Sequence, residues 1–132
     1  MRETLLIMMK LLLIAFAGAL GTLARYGLGG LVQRSTNSVF PYGTLVVNLL
    51  GAFLAGLAWI LFENKFKFSS EYRAIVLVGF MGGFTTFSTF MLETGRMVQD
   101  AEWLRAGGNL LFQNSLGMVA LFIGIILGRL IS

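Results

Sequence analysis

The chain has 132 residues, with no cysteine, no histidine, one proline and only 12% charged residues. Without cysteine there is no disulfide framework and no thiolate chemistry, and cysteine usage says nothing about redox compartment. Without histidine the commonest acid–base group and metal ligand is missing. So few charges beside 57% hydrophobic residues exclude an ordinary soluble domain of this length. A net charge of +4 would suggest nucleic acid for a soluble protein. Here the basic residues sit mainly at the ends of apolar runs, beside lipid headgroups, so interfacial anchoring accounts for them and no nucleic-acid partner is expected.

What the chain does have is long apolar runs. Four segments, Leu5 to Val32, Tyr42 to Phe62, Ala74 to Met97 and Ala106 to Leu130, are each long enough to cross a hydrocarbon core of about 30 Å. Residues 1–132 therefore read as one all-α, four-helix membrane domain. Basic residues, an apolar run and the small step Ala15-Phe16-Ala17 would also suit a cleaved leader, but the apolar pattern continues past Ala17 into a full span. Arg34 to Ser38 with Pro41, Glu63 through Lys65, Phe66 and Lys67 to Arg73, and Asp100 to Arg105 separate the spans. Connections this short make successive helices antiparallel neighbours.

Charge barely distinguishes the two sides. One holds Arg2, Lys10, Lys65, Lys67, Arg73 and Arg129, the other Arg25, Arg34, Arg96 and Arg105. That bias either reflects insertion both ways up or is noise around one orientation. Four spans offer few internal faces for a polar path, which favours an oligomer; with mixed orientations an antiparallel two-fold dimer follows. Gly51 with Ala55, Ala52 with Gly56, and Ala120, Gly124 and Gly128 let helices approach closely, between subunits or within one.

Several polar residues interrupt the spans. Arg25 costs at least ~2.5 kcal/mol in mid-bilayer unless it reaches water or a partner, so it either draws an anion into a vestibule or snorkels to the interface. Asn48 in the second span, and Gln113, Asn114 and Ser115 in the fourth, either bond an ion or join helices. Glu93 is either an intramembrane proton carrier or a carboxylate facing water at its helix end.

The densest signal is Gly79-Phe80-Met81-Gly82-Gly83-Phe84-Thr85-Thr86-Phe87-Ser88-Thr89-Phe90. Paired glycines and four hydroxyls weaken a helix where lipid forbids unsatisfied backbone groups, so a break lining a polar path is expected. Phe87 and Phe90 share a face; rings presented edge-on can receive a small anion, whereas rings presented face-on favour cations. Phenylalanines at helical spacing also simply pack.

With Gly43-Thr44-Leu45-Val46-Val47-Asn48 and Gly18-Ala19-Leu20-Gly21-Thr22-Leu23-Ala24-Arg25-Tyr26, that stretch resembles the Fluc (CrcB-type) family of bacterial fluoride channels. The resemblance covers all four spans. It implies a multi-pass protein of the bacterial cytoplasmic (inner) membrane, an antiparallel dual-topology homodimer with two pores and a third helix broken in mid-membrane. Such a channel exports fluoride passively and limits its toxicity. It implies Phe87 and Phe90 as pore rings, Asn48 as an amide donor, Ser88, Thr89 and Ser115 as hydroxyls along a polar track, and Arg25 in an aqueous vestibule. It also implies a structural sodium ion (Na+) held by the backbone carbonyls of Gly82 and Thr85 from each subunit. The fourth span departs from the family pattern, because Leu111 and Gly107, one and two turns before Ser115, lack polar side chains; Asn114 or Gln113 are the substitutes at hand. Two rivals remain: a small dual-topology proton-coupled multidrug exporter, disfavoured by the lack of a carboxylate in the first span, and an assembly subunit of a larger membrane complex, disfavoured by the polar third span.

Overall fold

The computed structural model describes residues 1–64 and 70–132. Lys65, Phe66 and Lys67, assigned above to the second connection, lie outside the described residues. Four helical segments are long and apolar enough to cross a membrane: Arg2–Thr36, Tyr42–Asn64, Ser70–Gln99 and Trp103–Ile131. They are α1 (Arg2–Thr36), α2 (Tyr42–Asn64), a third span in pieces, and α6 (Trp103–Ile131). The third span consists of α3 (Ser70–Arg73), a π-helical run (Ala74–Met81), α4 (Gly82–Phe84) and α5 (Phe87–Gln99).

The helices run a few residues beyond the apolar stretches. α1 takes in Arg34, Ser35 and Thr36, assigned above to the first connection, because nothing there breaks a helix until Asn37 enters the left-handed region (φ 45°), where asparagine is tolerated. At 35 residues it is about 52 Å long. Gln33 fastens the turn into α2: its Nε2 donates to the carbonyls of Ser38 (2.6 Å) and Phe40 (3.1 Å), and its Oε1 accepts from the Gly43 N–H (3.0 Å). Pro41 precedes the first residue of α2, where its missing N–H costs nothing.

Glycines set the packing. A Cβ on Gly56 would overlap the Leu121 carbonyl, and one on Gly124 the Phe53 carbonyl, so α2 and α6 meet backbone to backbone. Gly83 against Gly18, and Gly21 against the Phe80 carbonyl, bring α1 onto the third span in the same way. Gly51 receives the Thr85 methyl. Of the close-approach residues read from the sequence, Gly51, Gly56, Gly124 and Gly128 thus serve contacts within one chain, whereas Ala52 and Ala55 line an open groove.

Asn64 at the end of α2 bonds Ser132, next to the end of α6. At the opposite end Arg25, Arg34 and Arg96 come together around one recess. This is the up-and-down arrangement the short connections require.

Candidate functional site

Helical bonding in the third span stops at Thr85 and Thr86. Both are extended (φ −82°, ψ 158° and φ −149°, ψ 110°), with α4 ending at Phe84 and α5 starting at Phe87. In an unbroken helix the Thr86 N–H would close a turn on the Gly82 carbonyl, and the Thr89 N–H one on the Thr85 carbonyl. Instead, Thr86 N–H donates to Asn48 Oδ1 (2.9 Å) and Thr89 N–H donates to Thr86 Oγ1 (3.2 Å). The Thr86 hydroxyl is thereby the N-cap of α5. The carbonyls of Gly82 and Thr85 lose their usual donors.

Asn48 also gives. Its Nδ2 donates to the Thr86 carbonyl (3.1 Å) and to Gln113 Oε1 (3.0 Å), tying α2, the third span and α6 at one point. Gln113 is buried, and its Nε2 has no partner among the described residues. A buried amide donor without an acceptor is costly, and it is suited to receiving an anion.

Two recesses meet here. One, of about 520 Å³, is lined by Arg25, Arg34 and Arg96 together with Glu93, Asp100 and Glu102. The other, an open groove of about 420 Å³, is lined by Asn48, Thr85, Phe87, Phe90 and Gln113, with no charged side chain. Thr86 lines both. Phe87 and Phe90 meet edge to face, ring centres 5.7 Å apart at 71°, but Phe90 is 4% exposed and Phe87 72%. Glu93 belongs to the charged recess: its Oε1 accepts from the Thr44 hydroxyl (2.7 Å), while Oε2 is buried without a partner among the described residues.

The CrcB profile, described as "CrcB-like protein, Camphor Resistance (CrcB)", matches residues 12–125 of the chain. The chain belongs to the CrcB family. Its relatives include proteins named "Fluoride-specific ion channel FluC" from Desulforapulum autotrophicum (61% identical, over 92% of this chain and 98% of the relative), Nitrosococcus oceani (52%, the same shares) and Solidesulfovibrio magneticus (53%, the same shares).

The CrcB chain brings most of the residues singled out in its sequence to these recesses. Arg25 and Thr89 line the charged one; Asn48, Gly82, Thr85, Phe87 and Phe90 line the neutral one. Ser88 is exposed and lines neither. On α6 the residue that reaches the network is Gln113, and Asn114 lies at the groove beside it, whereas Ser115 is exposed and lines neither recess.

Two functional candidates escaped the sequence reading. Asn109 on α6 is fully buried and donates from Nδ2 to Thr94 Oγ1 (2.9 Å), and the Thr94 hydroxyl donates to the Phe90 carbonyl (2.8 Å). The signal was the four-residue spacing of Asn109 and Gln113, which places two amides on one face of an otherwise apolar helix. In this CrcB protein that face is the one turned inward.

Proposed function

We propose that this protein is a fluoride-selective channel, not an enzyme, which lets fluoride leave the bacterial cytoplasm down its electrochemical gradient across the inner membrane. The observation that carries the proposal is the neutral groove, whose amide, hydroxyl and ring-edge lining joins, at Thr86, a charged recess holding Arg25, Arg34 and Arg96. Fluoride is small and strongly hydrated, so stripping its water requires close donors; neutral donors replace that water without trapping the ion as a buried fixed cation would. Gln113 Nε2 is such a donor; the Asn48 amide, both of whose N–H groups are spent on the Thr86 carbonyl and Gln113 Oε1, joins it by releasing one of these bonds to the ion. The edges of Phe87 and Phe90 add positive charge density, and Arg25 raises the anion concentration at the entrance. Thr89 stands one turn before Glu93 on the wall of that entrance. In this proposal Ser88 and Ser115, on the chain's outer faces, face a second copy.

The active form is an antiparallel dual-topology homodimer with two pores and a third helix broken in mid-membrane. Exposure of Phe87 and Gly82 beside a groove lined by small residues supports that form, since a lipid-facing opening in the backbone would be costly. Na+ at the dimer centre is part of it. The Gly82 and Thr85 carbonyls, freed of their helical donors, fit a hard cation that takes oxygen ligands, and bound Na+ would fix the two breaks against each other. In this path carboxylates line the entrance recess and none lines the groove, which disfavours a proton-coupled exporter.

The test is ion efflux. Liposomes containing the purified protein and loaded with fluoride or chloride, placed under an imposed potential, should release fluoride rapidly and chloride little, with no dependence on a proton gradient. Absence of fluoride release from correctly folded protein sinks the proposal.

A further inference from the structure

Asn109 has no exposed surface, yet its Oδ1 is buried without a partner among the described residues. Such a group destabilises a helix bundle, and where local rules are broken in this way a functional site is the usual reason. Its other end is well used: Nδ2 donates to Thr94 Oγ1 (2.9 Å), and the hydroxyl of Thr94, a residue 4% exposed, donates in turn to the Phe90 carbonyl (2.8 Å). Asn109 is therefore a buried side-chain bond between α6 and α5. It acts one turn from Phe90, the ring that closes the inner side of the groove.

We propose that Asn109 and Thr94 are positioning residues for Phe90: the buried amide on α6 holds the hydroxyl that caps the Phe90 carbonyl, and so sets the rotation of α5 and the angle at which the Phe90 ring meets the groove. Packing alone would not fix that angle. Within one chain Phe87, its edge partner at 5.7 Å, is mostly exposed and gives Phe90 little support, so the outer side is left to the second copy. On the inner side a hydrogen bond, which is directional, limits α5 to one azimuth, whereas apolar contacts tolerate several. The proposal rests on the reading of Phe90 as a pore ring, but its physical content, a fixed ring, is measurable without flux.

The decisive variants are Thr94→Val, which keeps the shape and removes the hydroxyl, Thr94→Ser, which keeps the hydroxyl, and the double variant Thr94→Val with Asn109→Ala, which also removes the stranded amide. The readouts are fluoride efflux, fluoride-over-chloride selectivity, thermal unfolding, and the ring resonances of carbon-13-labelled Phe90 in the full-length protein. Thr94→Val should lower fluoride efflux about tenfold, the scale of one lost hydrogen bond. It should also reduce selectivity and shift or broaden the Phe90 ring signal, while Thr94→Ser stays near wild type. The double variant should regain thermal stability without regaining selectivity. Recovery of flux and selectivity along with stability would mean a purely structural bond and overturns the proposal, as does an unchanged Phe90 ring signal in Thr94→Val. Should the wild-type protein itself pass no fluoride, the channel reading fails, and the ring signal still decides between a fixed and a free Phe90.

Discussion

The recess at Arg25 and the groove at Asn48 share a single lining residue, Thr86, and differ in charge. The first carries three arginines and three carboxylates; the second has amides, hydroxyls and rings. Charge acts over several ångströms through water, so it gathers ions at an entrance, but a buried fixed charge opposite the ion would hold it. Neutral donors act only at contact, and they replace a hydration shell one bond at a time. In the proposed channel the two linings divide capture from passage.

The largest expected effect comes from the contact between them. Asn48→Leu removes the amide and strands the N–H and C=O of Thr86, at about 1–3 kcal/mol for each orphaned group. Fluoride efflux should fall to background with a clear loss of thermal stability. Near-normal efflux from this variant would erase the distinction between the two linings. Next come the rings: Phe87→Ile and Phe90→Ile preserve apolar bulk and remove the positive edges, and they should suppress fluoride efflux while size-exclusion chromatography reports unchanged assembly. Normal conduction by both removes the rings from the path. Smallest is Arg25→Gln, which should lower efflux only a few-fold at low ionic strength. That difference should vanish near 1 M salt, where charges are screened within about 3 Å. A salt-independent defect would place Arg25 in contact with the ion.

How much of this was legible beforehand depends on whether a residue signals through its neighbours in sequence or through another helix. The four spans follow from apolar length, and the two extended residues, Thr85 and Thr86, fall in the stretch that glycine and hydroxyl content singled out; both signals are local. The helix ends were less legible, because Gln33 bonds across the turn to Ser38, Phe40 and Gly43, and α1 runs on to Thr36. On α6 the spacing of Asn109 and Gln113 marks one amide-bearing face, but Asn114 and Ser115 mark neighbouring faces, so the sequence left the inward face undecided. Ser115 lies outward in the single chain, while Gln113 and Asn109 point to α2 and α5, a choice made by the backbone contact of Gly124 with Phe53. Glu93 read as either a proton carrier or a solvent-facing acid; its bond to Thr44 on another helix sets it on the wall of the charged recess.

Asn48 and Thr86 exchange two hydrogen bonds, N–H to Oδ1 and Nδ2 to O, in the way two residues of neighbouring β-strands do. The carboxamide is a spare peptide unit, borrowed by the third span from α2, and it makes the interruption a one-residue sheet inside a helical protein. Such a mimic tolerates little drift: leucine offers neither hydrogen-bonding group, aspartate no donor and lysine no acceptor. In the proposed channel the backbone and the ion compete for the same amide, since both Asn48 N–H groups are already donated. Tuning one for a different anion would detune the other, so a change of selectivity at this position carries a risk to the fold itself.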